Sequence, residues 1–236
     1  MSEAAWASEL RAKRAISQRK SYAAEAADAL REFILLGKLK AGMPVREREM
    51  AEALGVSRTP LKEALRILEH EGLVVYGPTR RPHVADPSLE ELAENLAVLG
   101  ALEALAGELA CVNATDDEIA HAATLERKMG EAPLETDPLA FFRWDMEFHQ
   151  TIVAAARNKA LLEAHNAFNA RLWRARFISS KKRTGRDSTL GQHEDILGAL
   201  QARNGPGCAG HLRRHLETAI TNIAAAQALP DNEDTT

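Results

Sequence analysis

The chain contains only two cysteines, Cys111 and Cys208, and aromatic residues make up 5% of it. Two cysteines in 236 residues exclude a disulfide-rich scaffold and fit a reducing compartment. We therefore expect a cytoplasmic protein in which both thiols are packing residues. Strand-forming residues are scarce, while alanine and leucine are abundant, and this composition predicts a mainly α fold.

No hydrophobic run in the sequence approaches the length of a membrane span. The N-terminal residues carry Glu3 and Glu9 and lack the continuous apolar core of a secretory signal. We therefore expect neither a membrane protein nor a secreted one. A chain of 236 residues is long enough for two domains, each with its own core.

The charge is unevenly distributed along the chain, although the net charge is only −4. Residues 1–86 hold 15 Lys and Arg against 12 Asp and Glu, a balance of +3. Residues 87–236 hold 15 against 22, a balance of −7. This asymmetry suits a DNA-binding head joined to an acidic second domain.

The segment from Glu49 to Val75 predicts two short helices joined by a tight turn. Gly55 ends the first helix, and Ser57 is a natural N-cap for the second. The apolar face of the first helix consists of Met50, Ala51, Ala53 and Leu54. The apolar face of the second consists of Leu61, Ala64, Leu65 and Leu68. Short strands are expected near Leu73–Tyr76 and His83–Ala85.

Basic and hydroxyl side chains occupy the other face of the second helix: Arg58, Thr59, Lys62 and Arg66. In a helix-turn-helix, such side chains reach phosphates and base edges when the N-terminus of the second helix enters the major groove. The alternative is an ordinary helical hairpin that binds no nucleic acid.

The segment from Ala27 to Ala85 resembles the winged-helix domain of the GntR family of bacterial transcription regulators, through VSRTPLKEAL and the EHEGLV that follows. The resemblance implies that the DNA contacts come from Arg48, Ser57, Arg58, Thr59, Lys62, Arg80 and Arg81. The chain departs from the family in the wing, because Pro82 and His83 follow Arg81 where the family usually has a glycine. The wing is therefore expected to approach the minor groove differently.

We predict a winged helix-turn-helix followed by an all-α bundle of six helices. The predicted segments are a flexible arm (1–20), the winged domain (21–86), the bundle (87–229) and a tail (230–236). The first helix of the winged domain is expected over Ser21–Leu39, with Ala27, Leu30, Phe33 and Ile34 facing the core.

Capping residues mark the helix starts of the bundle: Ser88 with Glu91, Thr115 with Glu118, Asp137 before Pro138, and Asn158. These four helices are expected to end near Val112, Gly130, Arg157 and Ser179. The polar segment Ser180–Ser188 is expected to be a loop, and Asn204–Gly207 a break. The last two helices are expected over about Leu190–Arg203 and Cys208–Leu229.

Four side chains of the bundle could converge as metal ligands. Asp145 and His149 lie four residues apart and project from one helical face, while His193 and His215 lie on two later helices. One carboxylate and three imidazoles suit a divalent transition metal such as Zn, Ni, Fe or Mn. The alternative from spacing alone is that these histidines are packing or capping residues.

The segment from Leu89 to Ala226 resembles FCD, the helical effector domain of the FadR-type subfamily of GntR regulators. The resemblance rests on LEALAGELA, WDMEFHQTIVAAARNKAL, HEDILGALQARN and HLRRHLETAI. Many members bind a metal through an Asp-x-x-x-His pair and two later histidines, which implies Asp145, His149, His193 and His215 as ligands. His211, one turn before His215, is expected to be an exposed polar residue instead.

The first helix of the bundle departs from the FCD pattern at Leu99. Many members carry an arginine there, four residues before the glutamate that corresponds to Glu103, and it supports a carboxylate ligand. Arg171 and Arg174 are candidate substitutes for effector binding, with surface or rim charge as the alternative.

The resemblance implies a ligand-responsive DNA-binding regulator, most often a repressor, that binds a near-palindromic operator as a homodimer. Its effector would be a small organic acid bound with the help of the metal. One alternative is a metal-dependent hydrolase, although no general base is evident. Another is a regulator in which the metal is structural or is itself the signal.

Overall fold

The computed structural model describes residues 21–133, 135–180 and 186–227. Within these residues there are nine helices and one two-stranded antiparallel sheet. They are α1 (Tyr22–Leu35), α2 (Glu47–Leu54), α3 (Arg58–His70), β1 (Val74–Tyr76), β2 (Pro82–Val84), α4 (Leu89–Asn113), α5 (Asp116–Gly130), α6 (Pro138–Ala155), α7 (Lys159–Ser180), α8 (Arg186–Gln201) and α9 (Gly205–Gln227). The predicted fold class, a winged helix-turn-helix followed by six helices, is confirmed. The predicted arm (1–20) and tail (230–236) lie outside the described residues.

Helix α1 begins at Ser21, whose hydroxyl accepts a hydrogen bond from Ala24 N at 3.2 Å. It ends at Leu35 and not at Leu39 as predicted, because Gly37 adopts a left-handed conformation (φ +72°) that ends the helix. The prediction that Phe33 faces the core was also wrong. Phe33 is 47% exposed, and the ammonium of Lys38 lies 4.8 Å from its ring centre. The buried face of α1 is formed by Ala23, Ala26, Ala27, Leu30, Ile34 and Leu35.

Helices α2 and α3 form the predicted helix-turn-helix. Gly55 ends α2 with φ +66°, and Ser57 stands at the N-cap position of α3 with an extended backbone. The four predicted core residues of α3, Leu61, Ala64, Leu65 and Leu68, are all fully buried and pack against α1. On α2 only Ala51 is fully buried, and Ala53 is exposed.

The wing is a short hairpin in which Val74 pairs with Val84 and Tyr76 with Pro82. Its turn is closed by a 2.8 Å hydrogen bond from Arg80 N to the carbonyl oxygen of Gly77. Arg80 takes a left-handed conformation, φ +54°, where glycine is the usual residue. Pro44 adds an isolated bridge to His83, which ties the segment before α2 to the wing.

The predicted caps of the second half are confirmed. Ser88 with Glu91 and Thr115 with Glu118 form complete capping boxes at α4 and α5. Asp137 accepts hydrogen bonds from two backbone nitrogens of α6. Asn158 Oδ1 accepts one from Leu161 N, 3.1 Å away, at the start of α7. These side chains satisfy backbone donors that a helix start leaves unpaired.

Helix α4 is the core helix of the bundle and packs along α9. Gly107 makes this close approach possible, because a β-carbon there would lie 2.6 Å from Leu212 Cδ1 and 2.9 Å from Cys208 Sγ. By length and composition alone, α4 is apolar enough to cross a membrane. The prediction that no hydrophobic run in the sequence approaches the length of a membrane span was therefore wrong. Half of its most apolar stretch is buried inside the bundle.

Two boundaries near the end of the chain differ from prediction. Helix α8 begins at Arg186, so residues 186–188 are helical and not part of a loop, while residues 181–185 lie outside the described part of the chain. Helix α9 begins at Gly205, within the segment predicted to be a break. Asn204 caps it by accepting a 3.1 Å hydrogen bond from Gly207 N, and Pro206 is tolerated in the first turn.

The winged domain contacts the bundle through the end of α1. Leu35 is buried in a cluster with Leu139, Phe142, Met146 and Phe177, which belong to α6 and α7. At the edge of this cluster Arg143 pairs with Glu32 at 3.1 Å. The cluster, which we call the joint cluster, thus places the head against α7 and against α6, the helix that carries Asp145 and His149.

Candidate metal centre and DNA interface

The predicted DNA-reading residues of the head are exposed. Arg58, Thr59 and Lys62 lie on the solvent side of α3, opposite its buried face, and Arg48 is exposed on α2. Ser57 makes no capping hydrogen bond through its side chain, so its hydroxyl is not committed to the helix. An exposed basic face at the start of α3 has the form required for entry into a major groove.

Arg80 and Arg81 are exposed at the tip of the wing. Pro82, which stands in the place of the usual glycine, is buried at the start of β2. His83 folds back so that its Nδ1 lies 2.9 Å from the carbonyl oxygen of Arg81. The departure from the family pattern therefore lies where the turn of the wing meets β2, and it leaves both arginines in solvent.

The structure brings together the four predicted metal ligands. Asp145 and His149 come from α6, His193 from α8 and His215 from α9, and all four side chains are buried. One potential ligand atom from each lies within 4.8 Å of the others. Among the residues whose side chains the structure describes (21–133, 135–180 and 189–225), no other group of this kind is present.

The side chains of the centre are oriented by their neighbours. His215 Nδ1 donates a 2.9 Å hydrogen bond to the amide oxygen Oε1 of Gln192, which leaves the lone pair of the ring on Nε2. His193 Nε2 and His149 Nε2 lie 3.2 and 3.6 Å from Asp145 Oδ1. The ring of Phe148 stacks on His193, with centroids 4.7 Å apart, and forms an apolar wall.

Several buried polar atoms of the centre have no hydrogen-bond partner: Asp145 Oδ1, His149 Nε2 and both nitrogens of His193. Leaving such atoms unpaired costs free energy, so a cluster of them indicates a missing group that would satisfy them. Three imidazole nitrogens and one carboxylate oxygen are the donor set of a divalent transition metal. The residues present therefore fit a metal ion.

Glu103, on α4, is a buried carboxylate behind the centre that sequence reasoning did not single out as a functional residue. One of its oxygens lies 2.8 Å from His149 Nδ1, at an angle that makes an ion-pair contact rather than a hydrogen bond. The other lies 3.2 Å from His165 Nε2 and 3.7 Å from Arg176 Nη1. Metal-bound histidines commonly present their second nitrogen to such a carboxylate.

The charges of the centre perturb the pKa values of its members. Burial alone would lower the pKa of His149, but the carboxylates of Glu103 and Asp145 raise it to about 9. Burial lowers the pKa of His193 to about 4, and it lowers that of His215 well below the ordinary value. Burial opposes ionisation of Asp145 and Glu103, yet the neighbouring histidines and Arg176 hold both carboxyl pKa values below their usual range.

Arg171 and Arg174 are not brought to the metal centre. They line a small pocket between the head and the bundle, together with Gly72 and Asp86. A β-carbon on Gly72 would lie 2.6 Å from Arg171 Cγ, so the head rests directly on this side chain. Their assignment to effector binding stays a prediction.

Arg176 is the arginine that lies beside the metal centre. It is buried on α7, and Nη1 donates a 2.8 Å hydrogen bond to Asn169 Oδ1. The sequence did contain a signal for it, because His165, Asn169, Leu172 and Arg176 recur at helical spacing on one face and are all buried. Leu99, where the family arginine is absent, is instead packed against Leu172 and Leu216.

The other predicted side chains lie away from the centre. His211 is partly exposed, near Asp195 and Arg214, and is not among the four convergent residues. Cys111 and Cys208 are free, buried thiols, as predicted.

An exposed basic helix-turn-helix joined to a helical bundle around a buried His and Asp cluster defines a DNA-binding transcription regulator. Two family models match the chain: "Bacterial regulatory proteins, gntR family" over residues 22–84 and "FCD domain" over residues 94–218. The chain therefore belongs to the GntR family and carries an FCD domain.

Curated relatives agree with this assignment. The "Probable D-xylose utilization operon transcriptional repressor" of Paenarthrobacter nicotinovorans is 33% identical over 196 residues, covering 80% of this chain and 84% of the relative. The Nta operon transcriptional regulator of Aminobacter aminovorans is 30% identical over 189 residues, covering 78% and 88%. These relatives are transcriptional regulators, and the chain is accordingly a regulator and not an enzyme.

Solved structures show the same fold. McbR/YncC of Escherichia coli superposes with a TM-score of 0.76 at 22% identity, covering 88% of this chain and 99% of that one. The "putative transcriptional regulator GntR" of Rhodococcus sp. RHA1 superposes with a TM-score of 0.68 at 24% identity, covering 87% of this chain and 99% of that one.

Proposed function

We propose that this protein is a cytoplasmic, homodimeric repressor that binds a near-palindromic operator and responds to a small organic acid. The acid binds at a divalent metal held by Asp145, His149, His193 and His215. The observation that carries the proposal is the convergence of these four buried groups, with unpaired donor atoms, in a chain whose head exposes a basic reading helix.

The head supports a DNA contact made mainly by α3. Arg58, Thr59 and Lys62 lie on one exposed face, while Arg48, Arg80 and Arg81 flank it. Basic side chains at these places neutralise phosphates and release counterions, which makes affinity strongly dependent on salt. Ser57 and Thr59 add hydroxyls that hydrogen-bond to phosphate oxygens.

The centre supports a bound metal by its chemistry. A divalent ion would offset the charge of Asp145, and an octahedral ion held by these four protein ligands would keep coordination positions for a carboxylate. Three imidazoles with one carboxylate favour Zn, Ni, Mn or Fe over Ca or Mg, which prefer oxygen ligands. Glu103 holds the ring of His149, and Gln192 holds that of His215.

An exposed apolar stripe on α4 supports the dimer. Val98, Leu105 and Val112 recur every seven residues and are 42, 44 and 79% exposed. A seven-residue apolar repeat packs well against a second helix of the same kind. Helix α4 follows directly after the winged domain in the chain. Pairing of two α4 helices would therefore fix the spacing of the two α3 helices that read the DNA. We expect Leu105→Glu to convert a dimer into a monomer in light scattering.

The DNA contact can be tested with an operator selected from a random DNA pool. Arg58→Ala and Lys62→Ala should each weaken binding and lower the salt slope by about 1 in fluorescence anisotropy, because each removes a phosphate or base contact. Lys159→Ala is the matched control, since Lys159 is 89% exposed on the bundle and far along the chain from α3. Unchanged affinity in both head variants would contradict the assignment of α3 as the reader.

The variant His193→Ala distinguishes the three possible roles of the metal, which are effector binding, structure and signal. Loss of the response to organic acids with retained folding and DNA binding supports a metal in the effector pocket. Loss of folding would instead assign the metal a structural role. A change of DNA affinity on adding metal alone, with no effect of any acid, would make the metal itself the signal.

A further inference from the structure

We propose that Arg171 fixes the tilt of the head on the bundle and thereby determines which spacing between operator half-sites the dimer accepts. This inference rests on the proposed function, because operator spacing has a meaning only for a dimer that binds DNA. It assigns a specificity-determining role to a residue of α7 that lies neither at the metal centre nor on the exposed basic face of α3.

The covalent link between the head and the bundle is short and starts beside Gly72. Only residues 85–88 lie between β2 and α4, and Ala85 N donates a 2.9 Å hydrogen bond to the carbonyl oxygen of Leu73. Gly72 itself is tied to the last turn of α3, because its backbone nitrogen donates a 2.9 Å hydrogen bond to the carbonyl oxygen of Glu69. A displacement at Gly72 therefore moves the end of the helix that reads the DNA.

The backbone of Gly72 rests against the aliphatic part of the Arg171 side chain. Gly72 has a left-handed backbone (φ +71°), and a β-carbon there would lie 2.6 Å from Arg171 Cγ and 3.5 Å from both Cβ and Cδ. The methylene groups of Arg171 thus occupy the space that any larger residue would need at this point. The contact is steric, and it does not require the charge of the arginine.

The bundle holds Arg171 from its other side. The guanidinium carbon lies 5.3 Å from the centre of the Phe168 ring, which is within the range of a cation–π contact. Phe168 in turn packs against a buried cluster that includes Leu92, Leu172 and Leu216. Because Arg171 is held between this ring and the backbone of the head, it acts as a spacer of fixed thickness.

Arg171 supplies a second support for the head, beside the joint cluster. Phe177 of the joint cluster and Arg171 both belong to α7 and are six residues, or about 9 Å, apart along its axis. Two supports at this distance prevent a rotation that one support alone would allow. The ion pair of Arg143 with Glu32 adds little restraint, because the two side chains are 59 and 48% exposed.

The tilt of the head determines where α3 meets the operator. In the proposed dimer the two α4 helices pair, so the position of each α3 depends on how its head is tilted relative to α4. One base pair added between two half-sites shifts one relative to the other by about 3.4 Å and rotates it by about 34°. A head held at one tilt therefore matches one spacing, whereas a head free to rotate accepts neighbouring spacings as well.

Operators that differ only in the spacing of their half-sites test the proposal. The operator selected from the random pool is shortened or lengthened by one base pair between its half-sites, and fluorescence anisotropy measures its affinity for the full-length protein. The wild type should bind one spacing at least about 10-fold more tightly than its neighbours. Arg171→Ala removes the methylene groups and should reduce this preference to about 3-fold or less.

Two further variants show which property of Arg171 matters. Arg171→Met keeps an unbranched chain without the charge, so it should retain the wild-type preference. Retention excludes a role through charge, whether in contacting DNA or in binding an effector. Arg213→Ala is the matched control, because Arg213 is an exposed arginine of α9 that does not line the pocket between the head and the bundle. It should also behave as the wild type does.

The possible results separate this inference from the proposed function. A wild-type preference in Arg171→Ala, or a wild type that binds all three spacings equally, would overturn the inference while the DNA-binding dimer stands. Arg171→Met losing the preference as Arg171→Ala does would also overturn it, because the contact would then act through charge. A wild type that selects no operator, or binds it as a monomer, would contradict the proposed function itself and the inference with it.

Discussion

Glu103 is a charged group almost without exposure, at 1%, in the middle of the longest core helix. An isolated carboxylate in such a place would be very costly, and it is tolerated because His149, His165 and Arg176 surround it. Its contact with His149 Nδ1 directs Nε2 of that ring towards Asp145. Glu103 is therefore a positioning residue for the metal centre.

Glu103→Gln should weaken zinc binding by about 10- to 100-fold, because His149 loses the anion that fixes its orientation and raises its basicity. Competition with a chromophoric chelator measures the zinc affinity directly. Glu108→Gln, on an exposed face of the same helix, is the matched control. Equal zinc affinity in the Glu103 variant and the wild type would show that the contact with His149 has no such role.

The pKa values of the buried histidines determine how the stability of the metal-free protein depends on pH. The pKa of His193 falls to about 4 from an ordinary 6.5, and that of His215 is also lowered, so the unfolded chain takes up these protons first as the pH falls. Stability is therefore lost on acidification below pH 6.5. His149, whose pKa rises to about 9, acts in the opposite sense, but most of its contribution is already present at neutral pH.

The contributions of these three histidines add up to a loss of about 2–4 kcal/mol in the free energy of unfolding between about pH 7 and pH 5. Urea unfolding of the chelator-treated protein at the two pH values measures this difference. His193→Gln should show a loss smaller by about 2 kcal/mol, since it removes one of the two groups. Equal stability at both pH values in the wild type would contradict this assignment of protonation states.

At the scale of the elements, the contact between α1 and the bundle is the joint cluster around Leu35. The rings of Phe142 and Phe177 meet edge to face there, with centroids 5.3 Å apart. Phe142 lies three residues before Asp145, and Phe177 directly follows Arg176. Helix α6, which carries two of the four candidate metal ligands, and α7, which carries Arg176, are therefore also the helices that contact the head.

Leu35→Ala should lower the free energy of unfolding by about 2–4 kcal/mol, because it leaves a cavity among side chains that are nearly fully buried. Phe33→Ala is the matched control, because it removes a large apolar side chain from an exposed position on the same helix. Phe33 is 47% exposed, and its loss should change stability by less than about 0.5 kcal/mol. Urea midpoints for the two variants measure the contrast, and similar losses in both would show that the joint cluster does not stabilise the molecule.

At the scale of the whole molecule, the features that the sequence predicted well are local. The turn at Gly55 and the caps at Ser88 and Thr115 depend on neighbours within a few residues, and they are all present. The start of α9 was misplaced because Asn204 caps a helix through a segment whose glycines and proline predict a break.

The four-residue centre was implied by the resemblance to FCD domains, whereas spacing alone left packing or capping roles open. The surroundings of the centre were not predicted. Glu103 and Arg176 are 73 residues apart in the chain, and their meeting depends on how α4 packs against α7. Helical spacing places Arg176 on one face of α7 with Asn169. No local sequence pattern predicts which helix packs against that face. Buried polar networks of this kind are set by tertiary packing.

The most direct test of the account is elemental analysis of the purified protein beside the double variant Asp145→Ala/His149→Ala. His211→Ala serves as a control, because it changes a nearby histidine outside the centre. The account predicts about one transition metal per chain in the wild type and in His211→Ala, and none in the double variant. If the folded wild type retains no metal after reconstitution, or the folded double variant retains as much, the four residues do not form a metal site and the central claim is wrong.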